Sequence, residues 1–245
     1  MARLIGTGEA NTINGTAFAD FIRGLDGEDR LSGKAGNDSI FGDDDDDWLS
    51  GGDGNDSLAG GKGSDTVYGD AGDDVLTDES GDDVMYGGTG NDRILIGEGN
   101  DRAFGGNGND RIEAAEGNDY LDGGSGKDTM LGGEGNDNLF GRAGNDNMQG
   151  GSGDDVLNGG AGADVMTGGD GADRFVFTAG IDRIKDFEGG EDDIDLALLN
   201  SVNSFSDAMA VARQSGSNTI FDFAEGRLIV ENTTVSSFDN DDFIF

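Results

Sequence analysis

Large apolar residues recur along most of this chain with a period of nine, each flanked by polar or small positions and separated from the next by a glycine-rich stretch. From Gly6 to Lys185 the frame runs through twenty units without insertion or deletion, with the consensus G-G-x-G-x-D-x-U-x, where U is a large apolar residue. Gly105-Gly106-Asn107-Gly108-Asn109-Asp110-Arg111-Ile112-Glu113 is a clean copy. Position eight is Ile, Leu, Val, Met or Phe in 19 of 20 units, with Ala103 the exception, and position four is Gly in 17, departing at Glu9, Phe18 and Asp45. The x-U-x triplet predicts a very short strand whose middle side chain points inward and whose neighbours point out. Three glycines in the first six positions permit positive φ and close backbone approach, so G-G-x-G-x-D predicts a tight turn. Two units make one coil, and twenty units make ten coils. Stacked at about 4.8 Å per coil, they form a rod about 48 Å long with one narrow core.

Position six carries the candidate chemistry. It is Asn11 in the first unit and then Asp20, Asp29, Asp38, Asp47, Asp56, Asp65, Asp74, Asp83, Asp92, Asp101, Asp110, Asp119, Asp128, Asp137, Asp146, Asp155, Asp164, Asp173 and Asp182. Hydrophobic residues are 33% of the chain, and 52 acidic against 15 basic residues leave a net charge of −37. Without a counterion that composition predicts a solvated coil, because each carboxylate stacks on another of the same sign. A hard divalent cation reverses the sign. Calcium takes six to eight oxygens, and a turn offering one carboxylate and several outward carbonyls supplies half a shell that the turn one coil later completes. Each site then uses position six of two units on the same side, such as Asp101 with Asp119 or Asp110 with Asp128. Twenty units leave at most 18 such gaps, so full occupancy adds +36 to a charge of −37. Fewer are expected, because Asn11, Phe18 and the Asp43–Asp47 run degrade the first five units. Magnesium fits less well, since it demands near-octahedral geometry and gives up water reluctantly.

This frame resembles the calcium-binding nonapeptide repeats of the RTX proteins. The resemblance implies an all-β fold, a right-handed parallel β-roll or calcium-binding β-solenoid, spanning residues 1–185 with its repeats at 6–185. Asp182-Arg183-Ile184-Lys185-Asp186-Phe187-Glu188-Gly189-Gly190-Glu191-Asp192-Asp193-Ile194-Asp195-Leu196 is similar to the segment that closes the roll in serralysin-like proteins, although no catalytic domain lies upstream. Residues 186–245 are expected to form a small β-rich C-terminal cap with one short helix. Ser204-Phe205-Ser206-Asp207 reads as a capping box, followed by Phe205, Ala208, Met209 and Ala212 on one helical face and Gly216 as a stop. Asn218–Phe223 and Gly226–Glu231 read as a hairpin. RTX proteins leave Gram-negative cells unfolded by type I secretion, using an uncleaved C-terminal signal, and Asp239-Asn240-Asp241-Asp242-Phe243-Ile244-Phe245 looks like that signal. The implied partners are therefore calcium and the type I secretion machinery, and the implied location is outside the cell or on its surface. The chain has no Pro to slow folding after export.

Composition excludes several other functions. With no His and no Cys, zinc proteases, nucleophilic triads and thiol chemistry are ruled out, and nearly every Asp already has a repeated structural role. The chain is expected not to be an enzyme. A strongly acidic surface repels nucleic acid, and no stretch reaches the length of a membrane span or forms the apolar region of a Sec signal.

Sorting outward positions by side of the roll separates two faces. Trp48, Tyr68, Tyr86, Phe104, Tyr120 and Phe140 fall on one, a candidate contact surface in which Tyr68, Tyr86 and Phe104 stack and Asp122 interrupts before Phe140. The other carries Phe21, Phe41, Leu95 and Leu131 with Arg93 and Arg111. Only five residues precede the first unit, so the coil Gly6–Arg23 is expected to present open edges for self-association. These features point to a secreted, calcium-dependent structural protein of the cell surface or matrix. The alternatives are a polysaccharide-binding module resembling those of alginate epimerases and a small pore-forming or signalling effector.

Overall fold

A computed structural model describes all 245 residues. The chain winds into a parallel β-solenoid whose two sheets are built from alternate units, so every strand pairs with the equivalent strand one coil away. Tyr86, for example, stands between Tyr68 and Phe104 in register. Each sheet has eleven roll strands, one more than the ten coils of the repeat frame. The reason is that flanking residues also supply the x-U-x pattern. Arg3–Ile5 pairs with Phe21–Asp26 ahead of the first unit, and Asp193–Asp195 pairs with Arg174–Val176 after the last.

The position-eight side chains form the single core column. Ile22, Leu31 and Ile40 through Met148, Leu157, Met166 and Ile184 are fully excluded from solvent, and Ala103 occupies the same column. Leu4 and Ile13 at the open end are only partly covered. The commonest strand length is six residues, as in Trp48–Asp53 and Val84–Thr89, which continue through the first two glycines of the next unit.

Two glycines in each turn do different jobs. Gly52, at position two, has φ +105°, whereas the adjacent position-one Gly51 is not in the left-handed region. Gly51 is needed for space, since a Cβ there would lie 2.3 Å from the Asp56 Oδ2. Where position one is Asp78, Ile96, Ala114 or Phe177, the strand before it stops at three residues.

Beyond the repeats the chain folds back over the last coil. The helix Phe205–Ala210 is capped by Ser204, whose side chain accepts from the Asp207 amide. It is shorter than the sequence pattern suggested, because Ala212–Ser215 is a strand instead. That strand pairs antiparallel with Asn218–Asp222, and Gly216, at φ +64°, makes the turn between them. Asn218–Asp222 then pairs antiparallel with Gly226–Val230, which adds in parallel to Gly180–Ile184. Phe243–Ile244 closes the other sheet beside Asp193–Asp195, so the acidic-apolar tail is an edge strand with Phe243 buried.

Candidate metal centre

The position-six aspartates form two axial rows at the turns, one for each side of the roll. From Asp20 to Asp182 each is at most 4% exposed. One carboxylate oxygen is engaged by the neighbouring coil: Asp110 Oδ1 accepts from the Asp92 amide at 2.8 Å, and Asp128 Oδ1 accepts from the Asp110 amide at 2.8 Å. The other oxygen is not. Oδ2 is buried without a donor at every position-six aspartate from Asp29 to Asp173. A buried, unpaired carboxylate oxygen is strongly unfavourable, so a row of them marks missing positive charge.

The rows end where the chain supplies its own donors. Asp20 Oδ2 accepts from the Thr16 amide at 2.7 Å and from its hydroxyl at 2.8 Å. Asn11 is neutral and bonds within its own turn. At the far end Asp192 takes over the position-six role, with Oδ1 accepting from the Asp173 amide and Oδ2 from the Glu188 amide. The degraded turns therefore close only the first two units. Asp38 and Asp47, beside Phe18 and the Asp43–Asp47 run, keep their unpaired oxygens.

Burial raises most of these carboxyls from the ordinary value of 3.8, and neighbouring aspartates push many of them further. Asp101 and Asp110 rise to about 7, and Asp56 and Asp119 to about 6, even though a backbone amide bonded to each works in the opposite direction. Asp20 goes the other way, held low chiefly by the Ala2 amide. The Oδ2 atoms are surrounded by further oxygens: beside Gly51 stand Asp56 Oδ2 and the carbonyl of Gly69. Donors that are all oxygen, paired between coils and short of positive charge, fit calcium. Bound there, the cation would neutralise the rows and tie each coil to the next.

A second axial device is independent of metal. At position five, Asn91 Oδ1 accepts from the Asn109 amide at 2.9 Å and from its side-chain nitrogen at 3.0 Å, and Asn100 serves Asn118 in the same way. Sequence reasoning overlooked this ladder, although Asn recurs at position five. It also overlooked Asp78, whose signal was an acid where the frame calls for glycine; Asp65, Asp78 and Asp83 bring one oxygen each to within 4.8 Å of one another.

The aromatic face is continuous. Ring centroids from Trp48 through Tyr68, Tyr86, Phe104 and Tyr120 to Phe140 are 5.6, 4.8, 4.9, 5.8 and 5.1 Å apart. Asp122 does not break the row, because Tyr120, two residues earlier, leans into the gap, and Arg142 ties it there by bonding both Asp122 and the Tyr120 hydroxyl. Arg30 lies 3.9 Å over Trp48, and Arg142 lies 5.0 Å over Phe140. All six rings are half-buried.

A family model described as the RTX calcium-binding nonapeptide repeat matches the chain in overlapping segments that together run from residue 5 to residue 184. No curated protein matches. Among solved structures, the extracellular lipase LipA from Serratia marcescens superposes with a TM-score of 0.46 at 18% identity over 82% of this chain, which spans 40% of the lipase. The AlgE6R3 subunit of the Azotobacter vinelandii mannuronan C5-epimerase superposes with a TM-score of 0.30 at 28% identity, covering 53% of this chain and 80% of that one.

Proposed function

The chain belongs to the RTX calcium-binding nonapeptide repeat family, and on that premise we propose that it is a secreted structural protein of the cell surface or extracellular matrix that folds on calcium and assembles through its aromatic face. The ligands in this reading are the aspartates from Asp29 to Asp173, whose unpaired Oδ2 atoms support it, together with turn carbonyls. Catalysis has no part in it: the acids are committed to the axial rows and the chain has neither His nor Cys.

The observation that carries the assembly role is the ladder of six rings on one sheet. Each stacked pair is worth about 0.5–1.5 kcal/mol beyond its buried area, yet the half-exposed rings leave apolar surface for another molecule. The tail Asp239–Phe245 is the proposed secretion signal. In the folded chain Phe243 packs against Phe221 and Phe238, so the signal is open to a transporter only before folding.

Electron microscopy with calcium and then with chelator tests this reading: ordered sheets or filaments are expected only with calcium. Tyr86→Ser combined with Phe104→Ser is expected to abolish assembly while calcium-induced folding, followed by circular dichroism, persists. Isolated short rods that bind a polysaccharide through the same rings would favour the alternative of a free-standing binding module.

A further inference from the structure

At most position-one glycines the space beside the turn holds two oxygens: the Oδ2 of that unit's aspartate and the main-chain carbonyl of position one in the next coil. A Cβ on Gly51 would lie 2.3 Å from Asp56 Oδ2 and 2.8 Å from the Gly69 carbonyl, and one on Gly87 would lie 2.5 Å from Asp92 Oδ2 and 2.6 Å from the Gly105 carbonyl. Gly60 differs. Its two nearest oxygens are Asp65 Oδ2 and Asp78 Oδ1, each 2.4 Å from the added Cβ. A side-chain carboxylate thus stands where other coils present a carbonyl.

Asp78 is held in that place. Its Oδ1 accepts from the Gly61 amide at 2.9 Å, which leaves Oδ2 buried with no donor. Asp65 and Asp83, the position-six residues of the two coils that meet here, are each 1% exposed, and their Oδ2 atoms also lack any partner. Three buried unpaired oxygens on three separate carboxylates are an observation beyond the clustering of acids itself, since each demands a positive partner.

We propose that Asp65, Asp78 and Asp83 form a distinct three-carboxylate cation centre, the tightest in the roll and the first to fill with calcium. The proposal rests on the calcium reading of the two-carboxylate sites and adds to it a named point of initiation. Ligand charge count is a main determinant of calcium affinity, and replacing a neutral carbonyl by a carboxylate adds a full charge to this one site. The same extra charge makes the empty site more repulsive than its neighbours, so the turns that carry Asp65, Asp78 and Asp83 are the part of the roll that gains most from the first ion.

The test is calcium titration of the full chain by calorimetry against a competing chelator, comparing the natural sequence with Asp78→Asn and Asp78→Gly. Asn keeps the shape and the acceptor for the Gly61 amide while removing the charge, and Gly restores the consensus turn. The natural chain is expected to bind one calcium per molecule ahead of the rest. Both variants are expected to lose that step by about tenfold or more in affinity, with the later ions and the final circular dichroism unchanged. If Asp78→Asn does not fold, Asp78→Gly decides the question alone. First-step affinity that is equal in the natural chain and the variants overturns this centre and leaves the rest of the array intact. A natural chain that binds no calcium overturns both the centre and the calcium reading beneath it.

Discussion

The roll and the region after residue 185 reach stability by different means. In the roll a single column of aliphatic side chains is flanked by carboxylates whose buried second oxygens lack partners. After residue 185 the core is aromatic, with Phe221 packed against Phe223, Phe238 and Phe243. Three acids there pair with arginine, Asp222 with Arg213 and Arg227, Glu231 with Arg183 and Asp195 with Arg174, and no buried carboxylate oxygen is left without a donor. One region buries carboxylate oxygens that only an ion from outside can answer, and the other buries none. The contrast predicts, within one chain of net charge −37, a rod that depends on calcium and an end that does not.

The largest expected break between them comes from removing calcium. Hydrogen exchange in excess chelator is expected to show amides from Ile22 to Phe175 losing protection, while those of Asn218–Asp222 and Gly226–Val230 keep it; uniform loss along the chain would dissolve the distinction. Next in size is Phe221→Ala. This side chain is fully buried, and its truncation is expected to cost about 3–5 kcal/mol in the C-terminal region, read by thermal denaturation in saturating calcium.

A smaller and graded effect is expected from pH. Asp74, Asp110 and Asp155 are raised from 3.8 to about 7 and Asp92 to about 6 in the folded chain, so the metal-free roll binds protons that the unfolded chain releases. Its stability is therefore fully present below about pH 4 and is lost as pH rises through about 7. In chelator, acidification from pH 8 to 4 is expected to increase β structure by circular dichroism, and no gain would mean that unpaired carboxylates do not limit the metal-free roll. Calcium should suppress the effect by taking the place of the protons.

The fold was legible because nine-residue phase leaves each residue one role: Leu121 and Met130 had to face inward, and Asp119 and Asp128 had to lie at the turns. Less legible were features that depend on which neighbour lies one coil away. Tyr120 completes the aromatic row only because Arg142 and Asp122 hold it toward the gap, and Asp78 joins the acidic row only because Gly60 leaves room. The helix was overextended because Ala212 continues the apolar spacing of Phe205 and Ala208, while its backbone is claimed by pairing with Phe221. The extra coil is hidden in the sequence because Arg3-Leu4-Ile5 carries the strand half of the repeat without its glycines, and Asp193-Ile194-Asp195 follows one residue out of phase, with Asp192 19 residues after Asp173.

Every roll strand is bonded only to the strands one coil above and below it. Under tension applied between its ends, such a stack would be loaded one rung at a time, and the chain would peel. Each coil is two nonapeptides of chain, so single-molecule pulling in calcium is expected to give a sawtooth of equal releases of about 60 Å. Removing calcium should erase the teeth, because the coils do not hold together without the ion. A protein with this response would act in a matrix as an extensible tether whose stiffness follows the ion content of the surrounding water.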